Sequence, residues 1–219
     1  LQDIQAIING ASVSTDTSNI INIPSSNIEI SCGKITIGKF SKQYQNLVMF
    51  APALVKGDKL ITQTLAFSVP YRTTNLLYMT SPQMRYILIG DNALAKDIKK
   101  ILPSGLNVEN YTTYQSVLNI KNFNNYKVHF VVFENTNLQS SNVPQALGKM
   151  LDSDVTAIKI NGNEEKGTID FYQKDKNLWK LNGNAVYVGK QALMGAIYTD
   201  SGELYECSFK NALSRLKFI

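Results

Sequence analysis

Histidine is almost missing from this chain: His129 is the single one in 219 residues. It stands inside the strand-like stretch KVHFVVF, where a packed imidazole is expected instead of a catalytic base. A Ser-His-Asp triad would have only this residue to use, and no G-x-S-x-G elbow is present. The phosphate-cradling pattern G-x-x-x-x-G-K-[ST] is absent, and so is any cluster of His, Cys and acids at metal-ligand spacing. Serine and lysine dyads are left open, because spacing alone does not test them. No metal or other cofactor is expected.

Cysteine is scarce as well, with Cys32 in EISCGKITIG and Cys207 in ELYECSFKNALSRL. Neither lies in a C-x-x-C, which argues against a redox-active or zinc-binding pair. In a reducing compartment they would be two unrelated thiols, whereas in an exported protein they would be partners. The bridge is the expectation, since one pair at opposite ends clamps the whole chain. On the loop-entropy model it restricts the unfolded state by roughly 4–5 kcal/mol, less any strain.

Charge is thin, at 18% of residues against the usual quarter, the difference being made up by Asn, Ser and Thr. The net charge is +5, yet the lysines never form a block of five or six, so no basic tract marks a nucleic-acid partner. Long apolar runs are lacking too. NLVMFAPALV, at residues 46–55, falls short of the roughly 18 apolar residues a membrane span needs. Leu1 and Ile219 read as trimmed boundaries, so membrane attachment is expected only through a segment outside this chain. One glycosylation sequon, Asn110-Tyr111-Thr112, is close to chance in so Asn-rich a sequence and matters only outside the cytoplasm.

What is present is enough hydrophobic residue, 44%, to bury a sizeable core. Residues 1–26 open with a possible helical turn, LQDIQAIING, and pass into a Ser/Thr/Asn-rich stretch expected to be a linker or stalk. Residues 27–82 alternate as strands, with Pro24, Pro52 and Pro70 at edges or turns, and predict a small β-rich module. From Met84 strand and helix alternate: RYILIG, NALAKDIKKILP, LNVENY, a short weak helix TYQSVLNI, KVHFVVFEN, a helix over NVPQALGKMLDSD, and VTAIKING. KVHFVVFEN, the most continuously apolar strand-like run in the chain, is expected at the centre of a parallel sheet.

Four strands separated by helices predict an α/β fold, a doubly wound and mostly parallel sheet. Beyond Asn161 hairpins return, with a turn at KDKN and another, of type I′, at Asn182-Gly183, forming antiparallel edge strands. An incomplete stripe of Leu204, Cys207, Phe209, Ala212, Leu213 and Leu216 predicts a C-terminal helix, so the α/β domain spans 83–219. The mixture of Phe171, Tyr172, Lys174, Lys176, Trp179 and Lys180 is better explained by a half-buried hairpin with lysines in its turn than by a nucleic-acid patch.

In open α/β sheets ligands sit at the carboxyl ends of the strands, where strand order reverses. That places Gly90, Asp91 and Asn92 of RYILIGDN and Glu134 of HFVVFEN on a candidate ligand rim. The stretch G-D-N-A-L-A lacks two of the three glycines of a dinucleotide fingerprint, and an acid in the turn repels phosphate. Asp91 or Asn92 is expected to serve as an N-cap.

The run from Arg85 to Asn135, ending in NFNNYKVHFVVFEN, resembles the flavodoxin-like core of class I glutamine-amidotransferase-like domains. Members of that family carry a nucleophilic cysteine on a later strand-to-helix elbow. None occurs here between Cys32 and Cys207, so the resemblance implies a catalytically dead relative. The layout of a Ser/Thr/Asn stalk, FSVPYRTTNLLYMTSP, an α/β core and GAIYTDSGELYECSFKNALSRL resembles uncharacterised anchored envelope proteins of small AT-rich archaea. Together these readings predict a non-enzymatic, extracytoplasmic interaction or scaffold domain at the cell surface. The alternative is a small-molecule or nucleotide-binding α/β domain, enzymatic or not, using the strand-end rim. Neither a protein partner nor an oligomeric state is legible.

Overall fold

The computed structural model describes residues 5, 6, 9, 10, 14–44, 47–68 and 72–215. Its mixed α/β content is organised as two six-stranded sheets and two compact units. One unit is discontinuous, Leu1–Pro82 with Gly189–Ile219, and the other is the continuous segment between them, Gln83–Val188. The expected boundaries are therefore corrected at both ends. Residues 17–26 are part of a strand, not a stalk, and residues 189–219 cluster with the N-terminal strands instead of closing the α/β domain.

The discontinuous unit holds β1 (Thr17–Ser31), β2 (Lys34–Ile37), β3 (Phe40–Gln43), β4 (Val48–Phe50), β5 (Leu54–Ser68) and β6 (Arg72–Thr80), in the order β3-β2-β1-β5-β6-β4. All neighbours are antiparallel except β4 and β6. Pro24 falls where the β1–β5 register shifts, between Asn22 and Ser26, as a residue without an N–H requires. Pro52 sits between β4 and β5, while Pro70 lies outside the described residues. Alternation puts Met49, Leu77 and Met79 in one cluster with Ile28, Ile30, Ile35, Val55 and Leu60.

The C-terminal part of this unit holds α3 (Lys190–Tyr198), which no periodicity had announced, and α4 (Gly202–Ser214). Buried and part-buried hydrogen bonds fix both. Tyr78 donates to Gln191 O at 2.8 Å, Ser208 to Met49 O at 2.6 Å, and Asp200 accepts from Ala53 N at 2.9 Å. Gly195 lets α3 approach β4, since a Cβ there would lie 2.6 Å from the Phe50 ring. Of the expected stripe, Leu204, Phe209 and Ala212 are buried, but Leu213 is exposed; Leu216 lies outside the described residues.

The continuous unit holds β7 (Met84–Ile89), α1 (Ala93–Ile101), β8 (Asn107–Tyr111), α2 (Tyr114–Val117), β9 (Lys127–Val132), β10 (Val155–Gly162), β11 (Lys166–Asp175) and β12 (Leu178–Val188). Its sheet runs β12-β11-β10-β9-β7-β8; the four strands β8, β7, β9 and β10 are parallel and the other two antiparallel. β9 is buried at all six positions, as its continuous apolar run predicts.

Helices are fewer than expected. TYQSVLNI gives the single turn α2, and NVPQALGKMLDSD gives two 3-10 turns, at Gln145–Leu147 and Asp152–Asp154, instead of one helix, with a further 3-10 turn just before it at Leu138–Ser140. The sequence there alternates too few apolar residues with Pro144 and Gly148 to sustain a helical face. Asn182-Gly183 is not a hairpin turn: it lies inside β12, where the register with β11 shifts, and the chain reverses at Lys176-Asn177.

Candidate functional site

The rim at the carboxyl ends of β7 and β9 brings all four expected residues together. Backbone pairing continues past the strands, with Gly90 N bonded to Tyr111 O at 2.9 Å and Phe133 N to Ile89 O at 2.8 Å. Gly90 adopts φ 129°, and a Cβ on it would sit 2.9 Å from Phe133 Cβ, so this turn accepts only glycine without strain. The glycine serves chain packing. A dinucleotide site would need such freedom at two further positions, which here hold Asn92 and Ala95.

Asn92, and not Asp91, is the N-cap of α1: its side-chain oxygen accepts from Ala95 N at 2.9 Å. Its amide nitrogen donates to Phe133 O at 2.8 Å, tying the β7 turn to the end of β9. Asp91 points to solvent and pairs with Lys96 at 3.1 Å, both side chains more than half exposed. Glu134 accepts from Tyr114 N at 2.8 Å and from the Thr136 hydroxyl. It thereby supplies the cap that Thr113, the residue preceding α2, does not make. Each rim residue except Asp91 is thus engaged in holding two loops to each other.

Tyr111, Tyr114 and Thr136 complete the rim, and nothing in the sequence marked them as part of it. Beyond it on β8, Glu109 is held by Arg85 at 2.5 Å and by the Tyr111 hydroxyl at 2.9 Å. Desolvation pushes the Glu109 carboxyl up, but these two hydrogen bonds and the guanidinium charge outweigh it and leave it below its ordinary value. Arg85 also donates to Asn122 O at 2.8 Å and stacks over Phe123 at 4.7 Å. This is an inter-strand clasp in which the buried Arg85 Nε is left without a hydrogen-bond partner among the described residues.

The remaining candidates resolve into core. His129 is fully buried in β9, its Nδ1 2.8 Å from the Thr156 hydroxyl and its ring edge-on to Tyr86. In the β11–β12 hairpin Phe171, Tyr172 and Trp179 are buried, so they offer no stacking surface to a nucleic acid. Trp179 Nε1 donates to the Tyr114 hydroxyl at 2.6 Å, which donates in turn to Asn142 O at 2.8 Å. Burial pushes the Tyr114 phenol up to about 12, partly opposed by the Trp179 donor. Lys174 is buried and donates to Met150 O at 2.8 Å and Asp152 at 2.5 Å, a hydrogen bond that lowers the Asp152 carboxyl.

Cys32 and Cys207 are joined in a disulfide that links the β1–β2 turn to α4, across a sequence separation of 175. Both ends belong to the discontinuous unit, so the bridge fastens its N-terminal strands to its C-terminal helix. A cavity of about 230 Å3 adjoins it, lined by Ile30, Ser31, Ala53, Ser201, Glu203 and Leu204 as well as the cysteines. Among the described residues no group of three or more His, Cys, Asp or Glu is placed to hold a metal ion, and no helix is long and apolar enough to cross a membrane.

Comparison of the chain with protein-family models, curated proteins and solved structures returns no match.

Proposed function

We propose that this protein is a non-enzymatic interaction or scaffold domain that works outside the cytoplasm, held at the cell surface by a segment beyond this chain. The observation that carries the reading is the Cys32–Cys207 bridge. Structural disulfides persist in oxidising compartments and are rare where thiols are kept reduced. The absence of chemistry is supported by the rim, where Asn92 and Glu134 spend their hydrogen-bonding groups on backbone and neighbouring loops.

The finer fold assignment belongs to this proposal. The strand order β8-β7-β9-β10 with all four parallel supports a doubly wound, flavodoxin-like sheet. Right-handed crossovers from β7 out to β8 and back to β9 would put α1 and α2 on opposite faces. The switch point then lies between β7 and β9, beside Gly90 and Glu134.

That placement favours a second reading, a small-molecule or nucleotide site at the rim, with Asp91 as its exposed acid. Two measurements separate the readings. Labelling of intact cells with a membrane-impermeant reagent should modify the protein if it is displayed at the surface, and protection of the protein would remove the first reading. A thermal-shift screen of nucleotides and divalent ions tests the second, since a ligand at 100 times its Kd adds about 2.7 kcal/mol. A shift abolished by Asp91→Ala would replace the scaffold reading with the binding one.

A further inference from the structure

The sequon Asn110-Tyr111-Thr112 lies at the end of β8, the outermost strand of the second sheet. Strand alternation gives it a definite presentation. Glu109 and Tyr111 are half-buried and bonded to each other, Glu109 also to Arg85, so Asn110 between them faces the other way and is exposed. Thr112 is exposed as well. Among the described residues neither the Asn110 amide nor the Thr112 hydroxyl has a side-chain hydrogen-bond partner.

The edge itself calls for cover. β8 pairs with β7 without a register shift, from Arg85–Asn107 to Ile89–Tyr111, and among the described residues no strand pairs with its other side. Its residues, NVENY, include no proline and no lysine, and the charge of Glu109 is neutralised by Arg85. Bulges, prolines and lysines are the usual means by which edges are kept from pairing with other chains. A bulky, hydrated group at Asn110 would do the same.

We propose that Asn110 is the acceptor of an N-linked glycan that shields the β8 edge; this rests on the extracytoplasmic reading, because the donor is used only outside the cytoplasm. In the transfer the Asn110 Nδ2 attacks the anomeric carbon of a lipid-linked oligosaccharide. The bond from that carbon to the lipid phosphate oxygen breaks, the lipid phosphate leaves as an anion, and the amide gives up one proton to a base of the transferase. Thr112 supplies the hydroxyl that defines the acceptor pattern.

The experiment is intact-mass and peptide analysis, without reductant, of the full-length protein purified from its native host. The expected result is a glycan mass on the peptide containing Asn110, released by an N-glycan amidase to leave aspartate at 110. It should vanish in Asn110→Gln and Thr112→Ala, and persist in Thr112→Ser and in Thr113→Ala, whose hydroxyl lies outside the sequon. An unmodified Asn110 overturns the proposal. The same spectra report the cysteines: bare Asn110 with a bridged pair leaves the location standing, whereas bare Asn110 with free thiols removes both.

Discussion

The side-chain amide of Asn92 donates to the main-chain carbonyl of Phe133 at 2.8 Å, joining the turn after β7 to the turn after β9. Its oxygen simultaneously caps α1 through Ala95 N. One side chain therefore ties together the two turns that stand at the carboxyl ends of β7 and β9.

Substitutions along the rim should separate architecture from chemistry. Asn92→Ala removes a cap and a part-buried tie and should cost about 1–2 kcal/mol. Glu134→Ala, which frees the Tyr114 N–H and the Thr136 hydroxyl, should cost a similar amount, about 1–2 kcal/mol. Asp91→Ala breaks only an exposed pair and should change stability by less than about 0.5 kcal/mol. Urea midpoints measure all three, and a large loss in Asp91→Ala would contradict the surface role described here.

Tyr114 makes stability fall at high pH. Its folded-state pKa of about 12 lies above the ordinary phenol value, so the folded chain holds the proton more tightly than the unfolded one. The stabilisation is fully present below pH 10 and is lost as pH rises from 10 towards 12, by roughly 2–3 kcal/mol in all. Tyr78 and Tyr198, pushed further up by burial, add to the loss in the same direction. Spectroscopic titration of phenolate should show these tyrosines ionising together with unfolding, and Tyr114→Phe should flatten part of the slope.

Removing the disulfide should act on the discontinuous unit. Cys32→Ser with Cys207→Ser should destabilise it by about 2–5 kcal/mol, read as a lower urea midpoint without reductant. Because the enclosed chain includes the whole continuous unit, which can hold its own ends together, a value at the lower end is expected. Adding reductant to the wild type should reproduce the variant's midpoint.

Gly195→Ala should be harmful although it lies within a helix. Alanine favours a helix over glycine by about 1 kcal/mol. Here the added methyl would meet three atoms of the Phe50 ring at 2.6–2.8 Å, and forcing it in costs about 1–3 kcal/mol, so a net loss near 1 kcal/mol is expected. Pairing it with Phe50→Leu should recover part of that loss, a coupling a double-mutant cycle would detect.

Local chemistry was legible in the chain alone. The apolar run KVHFVVF specified the buried strand β9, the GDN turn specified a capped helix after β7, and Pro24 marked an irregular point in β1. These depend on periodicity, caps and missing donors, which neighbouring residues settle by themselves. Asn182-Gly183 shows where that logic stops. As a dipeptide it favours a reversal, but pairing of Leu178–Val188 with β11 on both sides of it absorbs the pair as a bulge within one strand.

Which segments belong together was decided only by the tertiary structure. The helix Lys190–Tyr198 is buried at seven of its nine positions and so carries no amphipathic stripe, and its attachment to β4 through Gly195 and Phe50 spans most of the chain. The same holds for Glu134 capping a helix twenty residues earlier and for the two sulfurs meeting across 175 positions. Composition and spacing set what each segment can form. Packing of buried faces, which depends on partners remote in sequence, selects where it is placed.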